Sequence, residues 1–140
     1  IHRTPRSETR PLPATSLEAT VFTIASGSCA TGELVEAALE RDADGLVIEG
    51  TGLGNATAGI AEAVREASAD GVPVVVPSRR LERRVTPVYG GDGGGERLRE
   101  YGAIFAGDLP AQKARIRLAL ALEASDDEAG IRDAFAESQT

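Results

Sequence analysis

Four short apolar runs, separated by stretches with helical periodicity, constrain the fold of this 140-residue chain more than any other feature. Each run is apolar throughout instead of alternating with polar residues, which is typical of strands in a parallel sheet covered on both faces. The predicted strands span residues 19–25, 45–50, 72–77 and 102–107. This alternation predicts an α/β protein, a three-layer sandwich with a mostly parallel four-stranded sheet of Rossmann-like architecture.

The segments between the apolar runs predict helices over residues 32–42, 56–70, 96–102, 110–124 and 125–138. We expect Thr31 to cap the first helix and Leu34 to lie on its inner face. Gly71 is placed to end the second helix. Ser125 and Glu128 have the spacing of a capping box at the start of the last helix.

Composition excludes several classes of function. The net charge of −7 argues against a nucleic-acid partner, because phosphate binding needs a clustered cationic surface. No apolar run approaches the roughly 20 residues that span a bilayer, so we expect no membrane partner and a cytoplasmic location. Cys29 is the only cysteine, which excludes a disulfide framework and a cysteine-based metal site. We expect no cofactor and no metal, and a buried or half-buried Cys29.

The start of the sequence suggests a piece of a longer protein. The first residue is isoleucine, and the chain contains no methionine. Three prolines without apolar periodicity predict that residues 1–16 are an interdomain linker. Residues 17–140 then form the folded domain.

A glycine-rich turn follows the second predicted strand, where α/β sheets bind ligands. Its sequence, GTGLGN, places Gly50, Gly52 and Gly54 at alternate positions before Asn55. The spacing does not match the dinucleotide fingerprint, and no Lys-Ser/Thr pair follows as in a P-loop. The glycines instead allow the backbone to approach another molecule closely. From the residues alone, capping of the next helix is the favoured role of Asn55, with contact to a partner as the alternative.

These motifs, in this order, resemble the C-terminal domain of bacterial-type L-asparaginases. The resemblance runs from about residue 17 to the end and adds three segments to the glycine turn. They are Ser78–Arg79 after the third strand, Ala106–Leu109, and Lys113–Arg115 at the start of an apolar helix.

The resemblance implies that the full-length protein hydrolyses L-asparagine to L-aspartate and ammonia. The nucleophilic threonines of that family lie on an N-terminal domain that is absent from these residues, so we expect no catalytic residue here and no activity of the fragment alone. In such enzymes, subunits of a dimer or tetramer complete each other's active sites. The N-terminal asparaginase domain and a second copy are therefore the expected partners.

The same resemblance implies two substrate-binding residues. Asn55 matches the asparagine that lies close to the α-amino end of the substrate. Glu96 is the candidate counterpart of a glutamate that also reaches the neighbouring site, although Gly95 fits the register as well and the loop then leaves that pocket open. Site-shaping positions within the turn are Gly50, Thr51, Gly52 and Gly54.

Two other classes of function remain open. One is the amide-hydrolysing subunit of an archaeal glutamyl-tRNA(Gln) amidotransferase, which shares the fold. Those proteins tend to have histidine where Asn55 stands and a different final helix. The other is a binding or assembly domain without catalysis. We expect Arg79 to make a structural bond, because the only histidine, His2, lies in the predicted linker and leaves Ser78 without a base.

Overall fold

The computed structural model describes residues 11–77 and 90–136. The strands are β1 (Val21–Ala25), β2 (Gly45–Glu49), β3 (Val74–Val76) and β4 (Ile104–Phe105). The helices are α1 (Glu33–Leu39), α2 (Ala58–Ala69), α3 (Gly95–Glu100), α4 (Ala111–Ala124) and α5 (Glu128–Ala136). Ser78 and Arg79 lie outside the described residues.

The four described strands form one sheet in the order β1-β2-β3-β4, and every pair is parallel. This confirms the α/β sandwich. Because each crossover advances in the same direction, right-handed connections place α1, α2 and α3 on one face. Helices α4 and α5 pack against the other face. The consecutive order lacks the reversal that marks a doubly wound dinucleotide-binding sheet, so the Rossmann-like part of the prediction is not shown.

Two hydrophobic clusters lie on opposite faces of the sheet. Side chains of Leu46 and Ile48 in β2 pack toward α1 and α2, where Ile60 and Val64 are buried. The intervening Val47 packs toward α4 and α5. Alternate residues of one strand are therefore buried on both sides, which explains why the strands are apolar throughout. Burial of each such side chain contributes about 1.5–3 kcal/mol.

The start of α1 differs from the prediction. Its N-cap is Gly32 and not Thr31, and no side chain caps the helix. Position 32 has no space for a capping side chain, because a Cβ at Gly32 would lie 2.9 Å from the carbonyl oxygen of Gly59 in α2. Leu34 is 65% exposed, so its predicted burial is wrong; Val35 and Ala38 form the buried side of the helix.

The start of α5 also differs. The helix begins at Glu128, so this residue cannot serve as the third helical position of a capping box. Asp127 takes the capping role instead, because its Oδ1 accepts a hydrogen bond from the backbone N–H of Gly130 at 2.7 Å. The Ser125 hydroxyl donates a hydrogen bond to the same oxygen at 3.0 Å.

Other predicted features have mixed outcomes. Gly71 follows the end of α2 with φ +81°, as expected for a residue that terminates a helix. Cys29 is exposed, so its predicted burial is wrong. Within the described ranges, no helix is long and apolar enough to cross a membrane. The boundary between linker and domain at residues 16 and 17 stays a prediction.

Candidate functional site

The turn after β2 is closed by its own backbone. The N–H of Thr51 donates to the carbonyl oxygen of Asn55 at 2.8 Å, and the N–H of Asn55 donates back to Thr51 at 2.9 Å. Gly54 also donates to the Thr51 carbonyl, at 3.0 Å. The turn is therefore a short closed loop that stands at the carboxyl-terminal edge of the sheet.

Glycine is required in this loop for two different reasons. Gly52 and Gly54 have φ values of +57° and +103°, which side chains of L-residues rarely allow. Gly50 is limited by space, since a Cβ there would lie 2.8 Å from the Cα of Gly54. These requirements arise from the shape of the loop itself and need no bound phosphate.

The side chain of Asn55 binds the start of α3. Its Oδ1 accepts a hydrogen bond from the backbone N–H of Gly95 at 3.1 Å, across 40 residues of sequence. The cap of α2 is Thr57, whose hydroxyl accepts from the N–H of Ile60 at 3.3 Å. The interpretation of Asn55 as the cap of the next helix is therefore wrong. The Nδ2 group of Asn55 makes no hydrogen bond to the part of the chain that the structure describes.

Residues 55–57 contact two other segments of the chain, since Asn55 and Ala56 bind Gly95 and Gly93 and Thr57 binds Ala30. After Asn55, the N–H of Ala56 donates to the carbonyl oxygen of Gly93 at 2.8 Å. Thr57 then donates its hydroxyl hydrogen to the carbonyl oxygen of Ala30 at 2.6 Å. Three loops at one edge of the sheet are thus joined through three successive residues.

Sequence reasoning missed two residues of this arrangement. Thr57 stands directly before an apolar-periodic segment, which is the usual signal of a helix cap and identifies it more reliably than Asn55. Gly93 lies in a glycine-rich stretch, and a Cβ at this position would collide with the carbonyl oxygen of Ala56. No local pattern could reveal that contact, because it joins segments that are distant in sequence.

Glu96 lies in the first turn of α3 and is exposed. It follows Gly95, whose N–H is bound by Asn55. The side chain of Asn55 therefore binds the residue directly before Glu96, so the structure places the two predicted substrate-binding residues close together. Across 11–77 and 90–136, no group of three or more His, Cys, Asp or Glu side chains could hold a metal ion.

Comparison with known proteins assigns the domain. The model of the Glutaminase/Asparaginase C-terminal domain matches residues 20–135, which is most of the chain. The chain belongs to this family. The matched range of this asparaginase-family domain contains all four strands, the closed loop and α3.

Named relatives support the same family. A probable L-asparaginase from Deinococcus radiodurans is 39% identical over 137 residues, which cover 96% of this chain and 41% of the relative. An L-asparaginase from Bacillus licheniformis is 30% identical over 126 residues, covering 90% and 37%. A glutamyl-tRNA(Gln) amidotransferase subunit from Aeropyrum pernix is 31% identical over 104 residues, covering 74% and 24%. The chain thus spans about two fifths of the length of the two L-asparaginases.

Proposed function

We propose that this chain is the C-terminal domain of an L-asparaginase that hydrolyses L-asparagine to L-aspartate and ammonia. Similarity to the two L-asparaginases covers 96% and 90% of this chain, whereas similarity to amidotransferase subunits D covers between 68% and 77% of it. The observation that carries the proposal is the hydrogen bonding of the Asn55 side chain. Its oxygen is bound within the domain, and its Nδ2 group has no partner among the described residues.

In this proposal, the Nδ2 group donates a hydrogen bond at the α-amino end of the substrate. The acceptor is an oxygen of the substrate's α-carboxylate or of a side chain that holds its ammonium group. The bond from Gly95 fixes the Asn55 amide before substrate arrives, so little conformational freedom is lost on binding. The role is to position the scissile amide for a nucleophile on the N-terminal domain.

Glu96 supplies the second contact in the proposal. A carboxylate near the substrate's ammonium group would form a charge-assisted hydrogen bond, which is stronger than one between neutral groups. Glu96 belongs to the same turn of α3 as the amide that Asn55 binds. A shift of Asn55 would therefore move Glu96 as well, and the two contacts are expected to be lost together.

The proposal includes shared active sites in a homo-oligomer. The closed loop stands at the edge of the sheet, where Asn55 is half-buried and Glu96 is exposed. Both are available to a neighbouring subunit, whose N-terminal domain would supply the threonine nucleophile. A dimer is the smallest assembly that satisfies this arrangement, and a tetramer also does.

The test is ammonia release from L-asparagine. This 140-residue chain is compared with the longest protein that its gene encodes. We expect activity only in the longer protein. Ammonia release from L-glutamine is measured in parallel to compare the two substrates. If neither folded protein releases ammonia, the asparaginase proposal is wrong. Activity that appears only with a partner protein and glutamyl-tRNA would instead identify an amidotransferase component.

A further inference from the structure

One hydroxyl group makes two bonds beside the closed loop. Thr57 Oγ1 donates to the carbonyl oxygen of Ala30 at 2.6 Å and accepts from the backbone N–H of Ile60 at 3.3 Å. A hydroxyl has one hydrogen to donate and two lone pairs, so a single Thr or Ser satisfies both partners. The first bond joins two loops, and the second caps α2.

The loop between β1 and α1, residues 26–32, is held to this region at both ends. At its start, the N–H of Ser26 donates to the carbonyl oxygen of Glu49 at 3.0 Å, directly before the glycine turn. Farther along, its Ala30 carbonyl is bound by Thr57. The close approach of Gly32 to α2 leaves no space for a side chain between the two helix starts. This loop and the glycine turn are therefore expected to move together.

We propose that Thr57 is a positioning residue that fixes the location of Asn55 in the active site. Only Ala56 separates the two residues, and its N–H is itself bound to Gly93. A shift of the backbone at Thr57 would thus reach Asn55 and the start of α3 within two peptide units. This inference rests on the proposed asparaginase function and adds a residue that does not itself contact substrate.

Two substitutions separate the bond to the loop from the cap of α2. Thr57→Asp retains an oxygen acceptor for the N–H of Ile60, and aspartate is among the preferred N-cap residues. Its carboxylate cannot donate to the carbonyl of Ala30, so the connection to the loop is broken. Thr57→Ser retains both bonds. A residue that acts only as a helix cap would tolerate either change.

Asp127→Ala provides a matched control. Asp127 also caps a helix, since it accepts from the N–H of Gly130 at 2.7 Å. It lines a cavity with Asp44 and Pro73, which precede β2 and β3, so it lies at the opposite edge of the sheet. Loss of this cap destabilises the domain without touching the glycine turn.

The experiment uses the full-length protein, with kcat and KM for L-asparagine, a thermal melt and hydrogen exchange at the Gly95 amide. We expect Thr57→Asp to raise KM about tenfold and to speed exchange at Gly95. Because the Ala30 carbonyl loses its donor, the melting temperature of Thr57→Asp should also fall, and Asp127→Ala shows whether a loss of stability alone changes KM. Thr57→Ser should keep KM within about twofold of wild type. Asp127→Ala should lower the melting temperature and leave KM and Gly95 exchange unchanged.

Two results would overturn the inference. One is a wild-type KM and wild-type Gly95 exchange in Thr57→Asp, and the other is an equal rise in KM in Asp127→Ala. If Thr57→Asp does not fold, Thr57→Ala replaces it and must raise KM where Asp127→Ala does not. If the wild-type protein releases no ammonia, the asparaginase proposal fails, while exchange at Gly95 still decides whether Thr57 positions the turn.

Discussion

Substitution of Asn55 by aspartate separates the structural half of this side chain from its proposed functional half. The carboxylate retains an acceptor for the N–H of Gly95, but it lacks the Nδ2 donor. Asn55→Ala removes both. The two variants therefore share the loss of the donor and differ in the bond that holds α3.

The expected stabilities follow from the bond to Gly95. Gly95 is buried, so Asn55→Ala leaves a buried N–H without an acceptor, at a cost of about 1–3 kcal/mol. In Asn55→Asp, a charged acceptor faces the amino-terminal end of α3, an arrangement that contributes about 0.3–1 kcal/mol. We therefore expect Asn55→Asp to unfold at the same denaturant concentration as wild type or a higher one, and Asn55→Ala at a lower one.

The expected kinetics follow from the missing donor. A lost hydrogen bond to a charged substrate group costs about 1.5–3 kcal/mol, which corresponds to a decrease in kcat/KM of about 10- to 150-fold. Both variants should show this decrease for L-asparagine in the full-length protein, measured as ammonia release. Normal kcat/KM in Asn55→Asp, together with destabilised Asn55→Ala, would refute the reasoning and make Asn55 purely structural. A higher affinity in Asn55→Asp would show that the residue acts as an acceptor for the ammonium group.

Three further predictions concern the turn, the α3 loop and pH. Gly52→Val should cost about 1–2 kcal/mol in urea unfolding, because φ is +57°. A Cβ there would lie 3.9 Å from Nδ2 of Asn55, so we expect the strained backbone and the added methyl groups to shift this amide and raise KM. Gly93→Ala should cost about 1–3 kcal/mol in the same assay, since its Cβ would collide with a backbone carbonyl; an unchanged midpoint would contradict this. Hydrogen bonds from the Ser16 hydroxyl and from two backbone N–H groups lower the pKa of Glu123. These bonds therefore stabilise the folded domain at pH values above the ordinary glutamate pKa, and the stabilisation is lost as pH falls through the lower pKa of the folded state. Glu123→Gln should therefore lower the melting temperature at about pH 7, and the difference from wild type should shrink below about pH 4; a difference that does not depend on pH would exclude the carboxylate as its source.

Local patterns were sufficient to predict the strands and α2, because the cause of each is local. Strands β2, β3 and β4 are buried on both faces, which leaves a continuous apolar run in the sequence. Ile60 and Val64 recur at helical spacing and are both buried, and Gly71 ends the helix with positive φ. Each of these signals depends on residues that are neighbours in sequence.

Two errors, at Thr31 and Asn55, arose where distant segments meet. Thr31 is a residue type that commonly caps helices, but the N-cap is Gly32, where a Cβ would lie 2.9 Å from the carbonyl oxygen of Gly59. Asn55 is also a residue type that commonly caps helices, yet its Oδ1 accepts a hydrogen bond from Gly95, 40 residues away. The residue type showed that Asn55 can accept a hydrogen bond from a backbone N–H, but only the tertiary structure could show that the donor is Gly95.

The residue type at position 55 is constrained for a different reason from the glycines of the turn. The glycines are set by backbone conformation and by space, and these requirements are independent of a substrate. The side chain of Asn55 must accept from Gly95 and, in the proposed function, also donate at the substrate. Aspartate lacks the donor and alanine lacks both groups, whereas an amide provides the two together. Of the amides, glutamine adds a methylene that would displace the acceptor from Gly95, so asparagine alone meets both requirements at this position.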